Sequence, residues 1–250
     1  MELGIDGRIA LVTGASKGLG LGIAQALAAE GARVAMSSRS RERIDAAAAE
    51  VPGARGFVHD SADVDGAGRL IDAVQDELGA LEILVTNTGG PPAGDPLSFT
   101  REQWEAAYRS LVLGPMAMIE HAVPAMRERG WGRVVNVSSY AVREPIPYLM
   151  LSNAHRSATL AAFKTLAREL AGDGITLNTV LAGMIATDRL IELRGRSREA
   201  VEEDAREQVP AGRPGRVEEF AAAAAFLCSD GAGYITGAAL AVDGGLLRSV

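Results

Sequence analysis

The sequence predicts an α/β fold, a single Rossmann-type doubly wound parallel sheet of about seven strands flanked by helices. Three observations carry this. Short β-branched apolar runs alternate with longer Ala/Leu-rich segments of helical period along the whole chain. The strand candidates are nearly continuous apolar runs, as expected of strands covered on both faces. The 250 residues contain no internal repeat, linker or low-complexity tail, so residues 1–250 read as one domain around one core.

The elements follow in order. "RIALVTG" (8–14) is the first strand, closed by a Thr-Gly turn, and an Ala-rich helix near 18–30 follows it. "RVAMSS" (33–38), a helix near 41–50, "ARGFVH" (54–59) and a helix near 64–78 repeat the pattern. "LEILVTN" (81–87) leads to one long helix over 101–129, and "GRVVNVSS" (132–139) to a helix over 151–171. In the latter, Leu160, Phe163, Leu166, Leu170 and many alanines suit close helix packing. "GITLNTVLA" (174–182), a helix near 217–229 and "AALAVDGG" (238–245) complete the series. Residues 188–212, polar and Arg/Glu-rich, break the alternation.

Composition removes several classes of function. The formal net charge is −7, where a nucleic-acid binder carries a basic surplus. No apolar run approaches the length needed to cross a bilayer, and the N-terminus lacks the pattern of a signal peptide. A single cysteine, Cys228 on an apolar helix, reads as a buried thiol and fits a reduced, cytoplasmic setting. Three scattered histidines and one cysteine give no metal-ligand spacing. The expected partner is a small molecule, with neither nucleic acid nor membrane.

"LVTGASKGLGLGIAQAL" (11–27) joins the first strand to the first helix. The spacing Thr13-Gly14-x-x-x-Gly18-x-Gly20 departs from G-x-G-x-x-G, but the physics is shared. Glycines allow a tight turn whose backbone N–H groups approach a pyrophosphate at a helix N-terminus. The second strand ends in Ser38 and Arg39 without the acidic residue that would accept bonds from an adenine ribose 2′-hydroxyl. Arg39 and Arg41, with Lys17 in the turn, suit a 2′-phosphate, so NADP(H) is favoured over NAD(H).

Taken together, these stretches resemble the short-chain dehydrogenase/reductase family, in particular its 3-oxoacyl-(acyl-carrier-protein) reductase-like branch. "TGASKGLG" is similar to that family's cofactor turn, which implies cofactor roles for Gly14, Ser16, Lys17, Gly18, Leu19 and Gly20. Asp60, with Ser61 beside it, matches an acid that contacts adenine. "TNTGG" (86–90) stands where the family has Asn-Asn-Ala-Gly and keeps Asn87 and Gly89. Ile185 and Thr187 match positions near the nicotinamide carboxamide, and residues 184–212 match the substrate lid. "GRPGRVEEFAAAAAFLCSDGAGYITGAALAVDGG" (212–245) is close to the family's C-terminal signature.

The catalytic positions depart from the family. It carries serine, then tyrosine thirteen residues on, then lysine four further, with an asparagine in the long fourth helix. Counted from Ser139, those positions hold Ser152 and Arg156, and the asparagine position holds Leu111. An aliphatic hydroxyl is a far weaker acid than a phenol, so Ser152 cannot serve as a general acid near neutrality. Arg156 lies one helical turn after Ser152 and can still hold ribose hydroxyls, with a planar fork in place of a point charge. Tyr148 is the first alternative proton donor; Tyr140 and His155 are others, each with a plain packing role as the competing reading. Ser139 can polarise a carbonyl while water delivers the proton. Arg189, Arg194, Arg196 and Arg198 could meet an anion, but Glu192, Glu199, Glu202 and Glu203 lie among them and suggest a solvated, salt-bridged lid.

The resemblance thus implies an NADP(H)-preferring oxidoreductase acting on a small carbonyl, alcohol or acyl substrate with altered acid–base apparatus. Two alternatives stay open: a dinucleotide-binding protein without redox turnover, and a non-redox isomerase or lyase in the same pocket. The family likeness also implies a homotetramer or homodimer through helices 101–129 and 151–171.

Overall fold

The computed structural model describes residues 2–194 and 197–249. Seven parallel strands form one sheet in the order β3-β2-β1-β4-β5-β6-β7. They are β1 (Ile9–Val12), β2 (Arg33–Ser38), β3 (Arg55–Val58), β4 (Ile83–Thr86), β5 (Gly132–Ser139), β6 (Ile175–Ala182) and β7 (Ala239–Val242). The order reverses between β1 and β4, which opens a crevice outside their carboxyl ends.

The apolar runs are explained by two cores. On one face Ala10, Val12, Val34, Met36 and Val85 meet helices α1 (Gly18–Ala29), α2 (Arg41–Ala49) and α9 (Val217–Leu227). On the other, Ile9, Leu11, Leu84 and Val134 meet α3 (Ala67–Leu78), α5 (Gly114–Arg129) and α6 (Met150–Leu170). Successive residues of β1 therefore serve opposite cores, and all four are buried.

Local chemistry fixes the helix ends. Ser40 Oγ accepts from the Arg43 amide at the start of α2. At α4 (Arg101–Tyr108), Thr100 and Gln103 form a reciprocal capping box. At α9 the Glu219 carboxylate accepts from the Arg216 amide and from both nitrogens of the Arg213 fork. The Arg213 hydrogen bonds, followed by the Arg216 amide, hold its carboxyl down at about 2.

Two expectations are corrected. The helix expected over 101–129 is interrupted by one wide turn, Arg109–Leu113, in which the Gly114 amide donates to Arg109 O. The cause is Pro115 in the first turn of α5. The Leu111 carbonyl would take its helical hydrogen bond from residue 115, and proline has no N–H. Thr159 Oγ1 of α6 donates to that carbonyl instead, at 2.5 Å. The region 188–212, expected to break the alternation as a loop and a helix, holds two helices, α7 (Asp188–Arg194) and α8 (Arg198–Gln208). Thr187 and Ser197 cap them through their hydroxyls. Met184, Ala205 and Val209 give this segment a small core of its own.

Helix α1, which carries the glycine turn into the crevice, lies against α9 at Gly22. A Cβ at that position would overlap Val217 and touch Ala221. Gly22→Val is expected to lower stability by about 1–3 kcal/mol, read as a shifted urea midpoint; an unchanged midpoint would contradict this packing. Cys228 is wholly buried, and burial pushes its thiol up to about 12. It is expected to resist thiol reagents at mildly alkaline pH in the native protein and to react fully in guanidinium; labelling of the native protein would contradict the burial.

Candidate active site

The crevice is built first from backbone. Thr13 Oγ1 donates to Asn87 O at 2.8 Å and accepts from Asn87 N at 2.9 Å, which locks the end of β1 to the end of β4. The Asn87 side-chain amide then donates to Gly14 O at 3.0 Å. Gly14 has φ +58, and a Cβ there would sit 2.6 Å from Asn87 O, so this lock requires glycine. Gly18 also has positive φ, +59, and a Cβ on Gly20 would collide with Gly14 O. The first amides of α1 have no side-chain cap, and its first turn has no acidic residue. A run of free N–H groups at a helix N-terminus, on backbone bared by glycine, fits the pyrophosphate of a dinucleotide. Ser16 and Leu19 are half-buried beside it, and Lys17 is exposed, 3.5 Å from Glu192.

The far end of the crevice lies at the tips of β2 and β3. Ser38 is buried and its hydroxyl donates to Ser40 O. Arg39 is exposed and enters no ion pair among the described residues. Arg41 is committed to Asp45 and to Gly56 O. Asp60 is exposed and its carboxylate accepts from the Ala62 amide. Ser61 lines a cavity of about 10 Å³ with Thr13, Thr86 and Thr88, room for about one water.

The near end gathers at the carboxyl end of β5 and the first turns of α6. Ser139 is half-exposed, and its Oγ accepts from the Ala141 amide, leaving its own proton free to donate. Ser152 is buried, and its Oγ accepts from Arg156 Nε at 3.2 Å. Arg156 Nη1 donates to Val137 O at 2.8 Å. The Arg156 fork therefore ties α6 to β5 and turns the Ser152 proton away from itself. Among the described residues no carboxylate pairs with Arg156. Burial, and then the charge of Arg189, push it down to about 10. It remains a cation at neutral pH.

The remaining candidates divide. Tyr148 has 37% of its surface exposed, and its carbonyl accepts from Gly94 N, tying the loop after β4 to the mouth of the site. Tyr140 lies in the short turn after Ser139. His155 faces the other way. Its Nδ1–H donates to Leu151 O, and its ring lies 5.3 Å from Trp104 and 6.1 Å from Tyr108, so it packs against α4 rather than joining Ser152 and Arg156. Leu111 is buried in the wide turn. Gly89 is exposed with open space at its Cβ position. Ile185 is buried and bridges Gly215, while Thr187 caps α7, its methyl 3.8 Å from where a Gly18 Cβ would lie.

On the lid, Arg189 Nη2 donates to Pro91 O at 2.8 Å, and Arg198 lies 3.7 Å from Asp188. Arg196 and the Arg194 side chain lie outside the described residues. Three participants were missed from sequence: the Val137 carbonyl, Thr159 and Pro91. Only the Gly114-Pro115 pair offered a signal, as a proline that leaves a carbonyl open one turn earlier.

Comparison with known proteins agrees with this architecture. The family described as Enoyl-(Acyl carrier protein) reductase matches residues 14–247. D-threitol dehydrogenase of Mycolicibacterium smegmatis is 34% identical over 246 residues, covering 96% of this chain and 93% of that protein. The 3-oxoacyl-[acyl-carrier-protein] reductase FabG of Haemophilus influenzae is 32% identical, covering 98% of this chain and all of that one (100%). Among solved structures, L-sorbose reductase from Gluconobacter frateurii, complexed with NADPH and L-sorbose, superposes with a TM-score of 0.92 at 31% identity, covering 100% of both chains. YwfH, an NADPH-dependent reductase involved in bacilysin biosynthesis, gives 0.92 at 28% identity over 97% of this chain and 99% of that one. A doubly wound sheet with its glycine turn at the switch point, matched along its length to these dehydrogenases and reductases, places the chain in the short-chain dehydrogenase/reductase family of oxidoreductases.

Proposed function

We propose that this protein is an NADP(H)-preferring short-chain oxidoreductase that acts on a small carbonyl, alcohol or acyl substrate through an altered proton-transfer apparatus. One observation carries the reading. The position that normally supplies the ribose-holding ammonium still presents a cation, Arg156, fixed by Ser152 and Val137 O at the mouth of a glycine-lined crevice. The bound nicotinamide would supply or accept hydride. Gly14, Ser16, Lys17, Gly18, Leu19 and Gly20 would cradle the pyrophosphate, with Asn87 bracing the turn. Ser38 and Arg39 would receive the 2′-phosphate, and Asp60 and Ser61 the adenine. The NADPH named for L-sorbose reductase and for YwfH supports the preference. Gly89, Ile185 and Thr187 would border the nicotinamide.

The chain's own groups set the chemistry. Ser139 donates its hydroxyl proton toward a substrate carbonyl oxygen. Arg156 spends two N–H groups on Ser152 and Val137 O, and its remaining donors reach the ribose hydroxyls. Ser152 has no phenol to give, so the transferred proton comes from the Tyr148 hydroxyl or from water held by the two serines. We read the chain as one domain with its lid at 184–212, assembled as a homodimer or homotetramer through α4, α5 and α6, in a cytoplasmic setting. Among the described residues no helix is long and apolar enough to cross a membrane.

A second reading, a dinucleotide-binding protein without redox turnover, is favoured by that same absence of a phenol at Ser152. Two experiments separate the readings. Calorimetry is expected to give NADPH tighter binding than NADH, with Arg39→Ala weakening NADPH about tenfold and leaving NADH unchanged; equal affinities would remove the preference. Ser152→Tyr combined with Arg156→Lys is expected to raise kcat for neutral ketones by about 10² or more, followed by nicotinamide absorbance. If wild type and double variant bind NADPH but neither turns over, the redox assignment fails.

A further inference from the structure

The residues after β7 form no helix or strand, yet every amide from Gly245 to Ser249 is bonded. Asp243 holds the first part. Its Oδ1 accepts from the Gly245 amide at 3.0 Å, its Oδ2 from the Leu247 amide at 2.8 Å, and its carbonyl from the Leu246 amide at 3.3 Å. Glu144 holds the second part. Its Oε1 accepts from two successive amides, Arg248 at 2.7 Å and Ser249 at 2.9 Å. A chain terminus is ordinarily loose unless something ties it down. The side-chain ties here run from carboxylate to amide, so they are charge-assisted and independent of the tail's own side chains.

The two parts of this segment meet different neighbours. The first part meets the lid. The Ala211 amide donates to Gly244 O at 3.0 Å, and a Cβ on Gly244 would stand 2.7 Å from Val209. A Cβ on Gly183, where the lid begins, would overlap the Asp243 backbone. Leu246 packs against Met184, Ala205 and Val209, the small core of the lid. The second part meets the loop that runs from Ser139 to Tyr148, because Glu144 belongs to that loop. The Glu144 amide donates to Tyr140 O at 3.2 Å, which passes the tail's hold to the residue beside Ser139. The same loop is fixed to the body of the protein by Arg143 Nη2 on Ala239 O and by Asn153 Nδ2 on Ile146 O.

We propose that residues 243–249 act as a strap that couples the lid to the loop after Ser139, with Asp243 and Glu144 as its positioning residues. Seating of α8 holds Leu246 in the lid core, which fixes the amides of Arg248 and Ser249, and these fix Glu144. The loop that bears Tyr140 and Tyr148 is therefore fully placed only under a seated lid. That consequence rests on the reading of the crevice as an oxidoreductase site; the coupling itself does not. The lid also touches the loop after β4, through Arg189 Nη2 on Pro91 O, and variants in the strap leave that contact in place.

The test is hydrogen–deuterium exchange on the full chain, read by peptide mass spectrometry. Leu246→Ala, at the lid end, is expected to speed exchange in residues 140–149 about threefold or more, as well as in 198–211. Glu144→Ala, at the loop end, is expected to speed exchange in 198–211 by a similar factor. Glu144→Gln keeps an acceptor oxygen and should recover most of the protection. Residues 83–86 and 132–138 of the sheet should exchange as in the wild type. A chain ending at Leu247 keeps both Glu144 and Leu246 and should match Glu144→Ala; it decides the matter if Glu144→Ala also loosens the sheet. The proposal is overturned if Leu246→Ala loosens 198–211 alone, or if loss of the Glu144 tie loosens 140–149 alone. Exchange needs neither substrate nor cofactor, so a wild-type protein that binds no NADP⁺ would overturn the parent reading and leave the coupling standing.

Discussion

The exchange of hydrogen bonds between Thr13 and Asn87 is the constraint on which the crevice depends. One hydroxyl serves as donor and acceptor to a single residue across the switch point, and the Asn87 amide then reaches back to Gly14 O. The ends of β1 and β4 are held together where the strand order reverses, so the turn between them cannot relax. With the turn fixed, α1 must leave it in one direction, and Gly22 against Val217 sets how closely α9 follows. The free amides of α1 are thus aimed by a polar lock outside the apolar cores.

A second dependence runs through α6. Pro115 leaves the Leu111 carbonyl without a helical partner, and Thr159 fills the vacancy. Thr159 lies one turn beyond His155, whose ring is wedged beside Trp104 and Tyr108. These contacts fix the rotation of α6, so Ser152 and Arg156 face β5 while His155 faces α4. Arg156 is then obliged to bury much of a cation against Val137 O. A charge placed this way weakens the empty protein and is tolerated where a ligand uses it.

Much of this was legible in sequence, for physical reasons. Strands buried on both faces must be apolar throughout, so β1, β4, β5 and β6 stood out. The strand ends were less legible: β1, β3, β4 and β7 each span only four residues, fewer than their apolar runs. Ser139, Ser152 and Arg156 were singled out by counting along the motif of the family the sequence resembles, and the four-residue step from Ser152 to Arg156 puts that pair on one helix face. The segment 184–212 was matched as a lid by resemblance, but its division into two helices was not legible: α7 and α8 are capped by Thr187 and Ser197, and their few apolar residues show no clear period among so many charges. The interruption near 109–113 also escaped, because its cause, a proline beside Gly114, acts on a carbonyl one turn earlier. Backbone partners such as Val137 O and Pro91 O leave no mark in a sequence, since any residue can supply a carbonyl.

The central claim is that the crevice between β1 and β4 seats a dinucleotide whose nicotinamide end is held by Arg156 rather than by an amine. A crystal structure of the protein with NADP⁺ tests it most directly. The account predicts the pyrophosphate over the amides of residues 18–20, and Arg156 bonded to the nicotinamide ribose while keeping its bond to Val137 O. A nicotinamide ribose with no contact to Arg156, or a nucleotide bound away from the glycine turn, would contradict it.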